Sequence, residues 1–88
     1  MHAVTCQFSG HVYSLANVKG SNRKGGKLSF DVLEDGIAIA RATRGAGTKQ
    51  YMDELKFKFY TERSEVRFLT FCDSLSAAET CEAMLGAR

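Results

Sequence analysis

Residues 27–40 read Lys-Leu-Ser-Phe-Asp-Val-Leu-Glu-Asp-Gly-Ile-Ala-Ile-Ala, and this segment constrains the architecture most strongly. Its first half alternates apolar with polar residues, which is typical of a strand with one buried face. An Asp-Gly pair follows at 35–36, and such a pair between apolar runs favours a hairpin because glycine accepts a positive φ without steric cost. The segment therefore predicts two antiparallel strands, 27–33 and 37–42.

The segments on either side of this hairpin continue the strand pattern. Apolar and polar residues alternate over Val4–Phe8, His11–Leu15, Leu55–Tyr60 and Glu65–Phe71. Residues 51–52 add a further short strand or a turn. Because the chain contains no proline, glycine, asparagine and aspartate provide the breaks. We therefore expect six or seven short antiparallel strands.

The hydrophobic period changes near the C-terminus. Ser76 and Glu79 have the spacing of a capping box, in which the two side chains satisfy free amides at the start of a helix. From Ala77 onward apolar residues recur at helical spacing, and Gly86 fits a C-terminal cap. The predicted fold is thus mostly β with one C-terminal α-helix (α+β). It is a six- or seven-stranded antiparallel sheet or half-open barrel that the helix caps.

Length and composition indicate one ordinary globular domain, 1–88. The chain has 88 residues, of which 44% are hydrophobic and 25% charged. No apolar run approaches the roughly 20 residues of a membrane span, and the first ten residues lack the pattern of a signal peptide. Three cysteines without framework spacing favour reduced thiols. We therefore expect a cytoplasmic protein without a transmembrane segment.

Basic residues concentrate at one end of the predicted sheet. Residues 1–30 contain four basic and no acidic residues. The hairpin brings a second glycine-containing loop, 43–49, to the same end as loop 18–26, and free amides together with cations form a binding site for an anion. The alternative is that exposed loops simply carry solvated charge. The predicted binding residues are Lys19, Arg23, Lys24, Lys27, Arg41, Arg44 and Lys49.

Signals for catalysis and for metal binding are weak. Residues 20–27 begin like a phosphate-binding loop, but Gly26 stands where lysine is needed, and the segment leads into a strand rather than a helix. The cysteines and histidines lack metal-ligand spacing, and nothing in the sequence places a histidine beside Cys72 to activate it. Neighbouring carboxylates at 34–35 and 53–54 point to opposite faces of a strand. We expect a protein that is not an enzyme and has no metal and no cofactor.

The order of elements resembles that of a known superfold. Gly10–Leu15, a basic loop and Lys27–Ile39 resemble the opening of a pleckstrin-homology domain. Val66–Phe71 followed by Ser74–Gly86 is similar to the last strand and capping helix of that family and of phosphotyrosine-binding domains. Ser29 occupies a position at which lipid-binding members usually carry a basic residue.

The resemblance implies a pleckstrin-homology-like fold and a place for an anionic headgroup. In members that bind phosphoinositides, the headgroup lies between the first and third loops. The residues that this implies here are Lys19, Arg23, Lys24 and Lys27, with Arg44 and Lys49 across from them.

Together these observations predict a non-catalytic interaction module that binds or scaffolds a protein. An acidic peptide of the partner would contact the basic loops, and the groove between the last strand and the helix suits addition of a partner strand. The alternatives use the same loops. They are a phosphoinositide or another anionic membrane surface, and a nucleic acid whose bases stack on Tyr13, Tyr51 and Tyr60.

Overall fold

The computed structural model describes residues 5–20, 26–45, 55–73 and 75–86. These residues form one antiparallel sheet whose five strands lie side by side in chain order, followed by two helices. The strands are β1 (Thr5–Phe8), β2 (His11–Gly20), β3 (Leu28–Glu34), β4 (Ile37–Arg44) and β5 (Lys56–Phe59), and the helices are α1 (Glu62–Cys72) and α2 (Ala77–Gly86).

The central hairpin predicted from the sequence is confirmed. β3 and β4 pair antiparallel from Glu34 opposite Ile37 to the far end of both strands. Asp35 and Gly36 have φ angles of 54° and 85°, and positive φ at both positions is what a tight type I′ turn requires. The Asp35 carboxylate also accepts a hydrogen bond from the Val12 amide at 2.9 Å, which holds β2 beside the turn.

A bulge in β2 sets the register at the opposite end of the sheet. The pairing of β2 with β3 shifts between Ala16 and Lys19, where Asn17 has a φ of 54°. The Asn17 side-chain amide donates to Asp31 Oδ2 at 2.8 Å, so the extra residue is tied to the neighbouring strand. After the bulge, Lys19 lies directly opposite Ser29.

Both helices pack on the same face of the sheet, and the core lies between the two layers. Helix α2 begins where the capping box predicts, because Ser76 Oγ accepts a hydrogen bond from the Glu79 amide at 3.1 Å. The buried apolar residues are Tyr13, Leu15, Leu28, Phe30, Val32, Ile39, Ala40, Ala42, Leu55, Phe68, Cys72, Cys81, Met84 and Leu85.

The prediction of a last strand over Glu65–Phe71 is wrong, since these residues lie within α1. Thr61 has extended backbone and its hydroxyl accepts a hydrogen bond from the Ser64 amide, so it caps the helix. The buried residues of α1 are Ser64, Phe68 and Cys72, which recur every four residues. Val66, which strand alternation would bury together with Phe68, is 60% exposed.

The expected six- or seven-stranded sheet or half-open barrel with a single helix, of pleckstrin-homology-like build, is also wrong. In the described part of the chain the sheet has five strands, two helices follow it, and β1 and β5 form its edges instead of closing a barrel. An 88-residue chain that uses residues 62–72 for a helix is too short for the larger strand count. The short strand or turn suggested for residues 51–52 lies outside the described residues.

Candidate anion-binding site

The helices leave one face of the sheet without a covering layer in the part of the chain that the structure describes. A row of residues crosses this face in register: Lys19 lies opposite Ser29, Ser29 opposite Thr43, and Thr43 opposite Lys56. Residues opposite each other on neighbouring strands point to the same side of a sheet. We call this side the open face. It presents two hydroxyl groups between two lysines.

A second row on the open face carries both signs of charge. Asp31 lies opposite Arg41, and Arg41 lies opposite Lys58. Arg41 Nη1 donates to Asp31 Oδ1 at 2.9 Å, so these two charges largely cancel. Lys58 lies beyond this pair on the edge strand, next to Lys56 on the same side.

A groove with a volume of about 410 Å³ lies at the end of the open face. Gly20 is at its wall with a φ of 92°, and a Cβ atom there would collide with the carbonyl of Lys27. Glycine is therefore needed where β2 ends, because the chain backbone approaches itself closely at this point. The lining residues are Lys19, Gly20, Lys27, Leu28, Ser29, Thr43, Arg44 and Gly45.

Arg44 lines this groove while it connects three elements. Its Nε donates to the Gly26 carbonyl at 2.9 Å and its Nη1 contacts Glu82 Oε2 of α2 at 3.2 Å. The residue is only 8% exposed. Arg44 therefore anchors the groove to α2 and to the segment that leads into β3, and its charge is already balanced by a carboxylate.

The structure brings some of the predicted binding residues together. Lys19, Lys27 and Arg44 line the groove, and both lysines are exposed. Arg41 lies on the open face, one row away from the groove. That these residues bind an anion remains a prediction. Three further predicted residues lie outside the described residues: Arg23, Lys24 and Lys49.

The sequence-based prediction omitted two cations of the open face, Lys56 and Lys58. They alternate with Phe57 and Phe59, and this pattern indicates a strand with one apolar and one polar side. The pattern alone does not reveal which strand lies beside β5. Because β5 pairs with β4, the two lysines share a face with Lys19.

Tyr13 belongs to the opposite side of the sheet and cannot stack on a nucleic-acid base. It is fully buried, and its hydroxyl donates to Glu34 Oε2 at 2.8 Å. Burial, reinforced by the neighbouring Glu34 carboxylate, raises the pKa of Tyr13. Arg67 of α1 donates to both oxygens of Glu34, so this cluster fastens α1 to the sheet.

Two of the cysteines, Cys72 and Cys81, lie in the core rather than in a reactive setting. Burial raises the pKa values of Cys72 and Cys81, which keeps both thiols protonated near neutral pH. Cys72 lies at the end of α1, where a helix offers a thiolate no stabilising amides. Among the described residues, no group of three or more His, Cys, Asp or Glu side chains is arranged to hold a metal ion.

The chain matches no protein-family model, no curated protein and no solved structure. These comparisons do not bear on the resemblance to pleckstrin-homology domains. Neither helix in the described ranges has the length and apolar character needed to cross a membrane.

Proposed function

We propose that this protein is a non-catalytic binding module for an anionic partner and that the groove and the open face form its binding surface. The observation that carries the proposal is the distribution of cations. Lys19, Lys27, Lys56 and Lys58 are exposed at the groove or on the open face, whereas both helices lie on the other side. An acidic protein segment and a phosphate-bearing chain are the two ligand classes that suit this charge.

The energetics favour binding over a purely structural role for these lysines. Exposed ammonium groups contribute about 0–1 kcal/mol each to folding even when they are paired. Several of them on one uncovered face create a local positive potential that attracts an anion and accelerates its association. We propose a cytoplasmic location, because the three cysteines are all free thiols.

Reversing one charge of the site should weaken binding. We expect Lys19→Glu to reduce the affinity for heparin, used as a generic polyanion, by about tenfold at low salt, since one attractive charge becomes repulsive. Fluorescence anisotropy with labelled heparin measures this change.

Arg63→Glu is the matched control, because Arg63 is an exposed residue of α1 and its reversal changes the net charge equally. We expect Arg63→Glu to lower the heparin affinity by less than about threefold, because salt screens most of the long-range interaction between this position and the polyanion. Equal losses in both variants would show that the lysines of the open face are only solvated surface charges, and the proposal would then fail.

A further inference from the structure

We infer that the anionic partner is a single-stranded nucleic acid whose phosphates contact the lysines of the open face and one of whose bases stacks on Tyr60. This inference rests on the proposed function and specifies its ligand. Three features support it: the type of cation that is exposed, the spread of those cations over the sheet, and the exposure of one aromatic ring beside them.

The cation type suits phosphate. Lysine binds phosphate as a point charge, and its ammonium group can turn three donors toward phosphate oxygens. Arg41, the described arginine of the open face, already holds the Asp31 carboxylate. Arg44 lies opposite the buried Leu28 and contacts Glu82 of α2 on the other side of the sheet. Lys19, Lys56 and Lys58 are exposed on the open face. The Ser29 and Thr43 hydroxyls between Lys19 and Lys56 are further donors of the kind that contact phosphate oxygens.

The spread of the lysines favours a chain of phosphates over a single phosphate group. Lys19 and Lys56 are three strands apart, which corresponds to roughly 14 Å across the sheet. Lys56 and Lys58 are two residues apart on one strand, or roughly 7 Å. Successive phosphates of a strand that crosses the face match this spread better than one phosphate does.

Tyr60 provides a surface for a base. Its amide donates to the Ile39 carbonyl at 2.9 Å, so the pairing of β5 with β4 continues past the last assigned strand residue. Tyr60 therefore lies two residues beyond Lys58, just after the end of β5. Tyr60 is 54% exposed, whereas every other aromatic side chain in the described ranges is buried or half-buried. Bases must be unstacked to use such a ring, which favours a single strand over a duplex.

The test is a binding titration of fluorescein-labelled oligothymidylate of about 12 nucleotides, a length within the range of single-strand binding sites. Wild-type affinity should fall steeply with salt, and Lys56→Glu should make the slope of log affinity against log salt shallower by about one or more, since one or more phosphate contacts are lost. Tyr60→Ala should weaken binding about 5- to 50-fold with little change in that slope, because a stacked base carries no counterion.

Controls separate stacking from folding. Tyr60→Phe keeps the ring and should bind within about twofold of wild type. Val66→Ala shortens an equally exposed apolar residue on α1 and should have no effect on binding. Circular dichroism melting curves establish that each variant is folded.

The outcomes distinguish the inference from the proposed function. If Tyr60→Ala binds the oligonucleotide as wild type does while Lys19→Glu still lowers heparin affinity, the inference is overturned and the proposed function stands. Tighter binding to poly-glutamate or to phosphatidylserine vesicles than to the oligonucleotide, at equal salt, overturns it as well. If Lys19→Glu leaves heparin affinity unchanged, the proposed function itself has failed.

Discussion

Replacing Phe68 with alanine should destabilise the protein by about 3–5 kcal/mol, the usual cost of removing a fully buried phenyl ring. Phe68 has no exposed surface. Its ring centroid lies 5.5–6.4 Å from those of Tyr13, Phe57, Phe59 and Phe71, which come from two strands and from α1 itself. A domain of this size has about 5–15 kcal/mol of stability in total, so the variant should be close to unfolding at 37 °C.

Urea unfolding followed by circular dichroism measures this loss, and Val66→Ala is the matched control. In a strand, Val66 and Phe68 would share the buried face and both replacements would be costly. In the observed helix Val66 is exposed, and its replacement should change the free energy of unfolding by less than about 0.5 kcal/mol. Comparable losses at the two positions would argue against the helix and in favour of the strand that we predicted from alternation.

Local signals were sufficient for the β3–β4 hairpin and for α2. The Asp35-Gly36 turn and the Ser76 cap each depend on residues within four positions of one another. The residues that determine these two features can therefore be recognised in the sequence alone. The sequence pattern did not predict helix α1, because the hydrophobic repeat of a strand (2 residues) and that of a helix (3.6 residues) coincide over a short segment. Burial of Phe68 fits either period, and only its packing against the rings of the sheet separates them.

The candidate site was predictable in position but not in composition. Hairpin geometry correctly places Lys19 and Arg44 at the same end of the sheet. A count of formal charges cannot show that Arg44 is held by a residue 38 positions away. Among the described residues, the exposed lysines of the groove and open face are what remains after such pairs have formed, and pairs of that kind are set by tertiary structure.

Glu34 is the second position at which a single replacement should have a large effect. It is 7% exposed, and it receives hydrogen bonds from Tyr13 Oη at 2.8 Å and from Arg67 Nε and Nη2 at 2.9 and 2.6 Å. Arg67 holds the pKa of the Glu34 carboxyl below its usual value, and the Tyr13 hydroxyl acts in the same direction against the opposing effect of burial. The carboxylate is thus stabilised in the folded state.

Glu34→Gln should cost about 2–3 kcal/mol at pH 7, because hydrogen bonds to a charged group contribute more than neutral ones and the amide accepts from fewer donors. The folded-state pKa of Glu34 lies below the unfolded value of about 4.3. The contribution of the carboxylate is therefore complete above the unfolded pKa and is lost as the pH falls through the folded one. The stability difference between wild type and Glu34→Gln should stay constant from about pH 6 to 8 and shrink below about pH 4.

Urea unfolding at a series of pH values tests this expectation, with Glu62→Gln as the matched control. Glu62 is exposed in the first turn of α1, where its charge interacts favourably with the helix dipole but is screened by solvent. Its replacement should cost less than about 1 kcal/mol. A cost for Glu34→Gln that is the same at pH 7 and at pH 3 would mean that packing, and not the charge shared with Arg67, fastens α1 to the sheet.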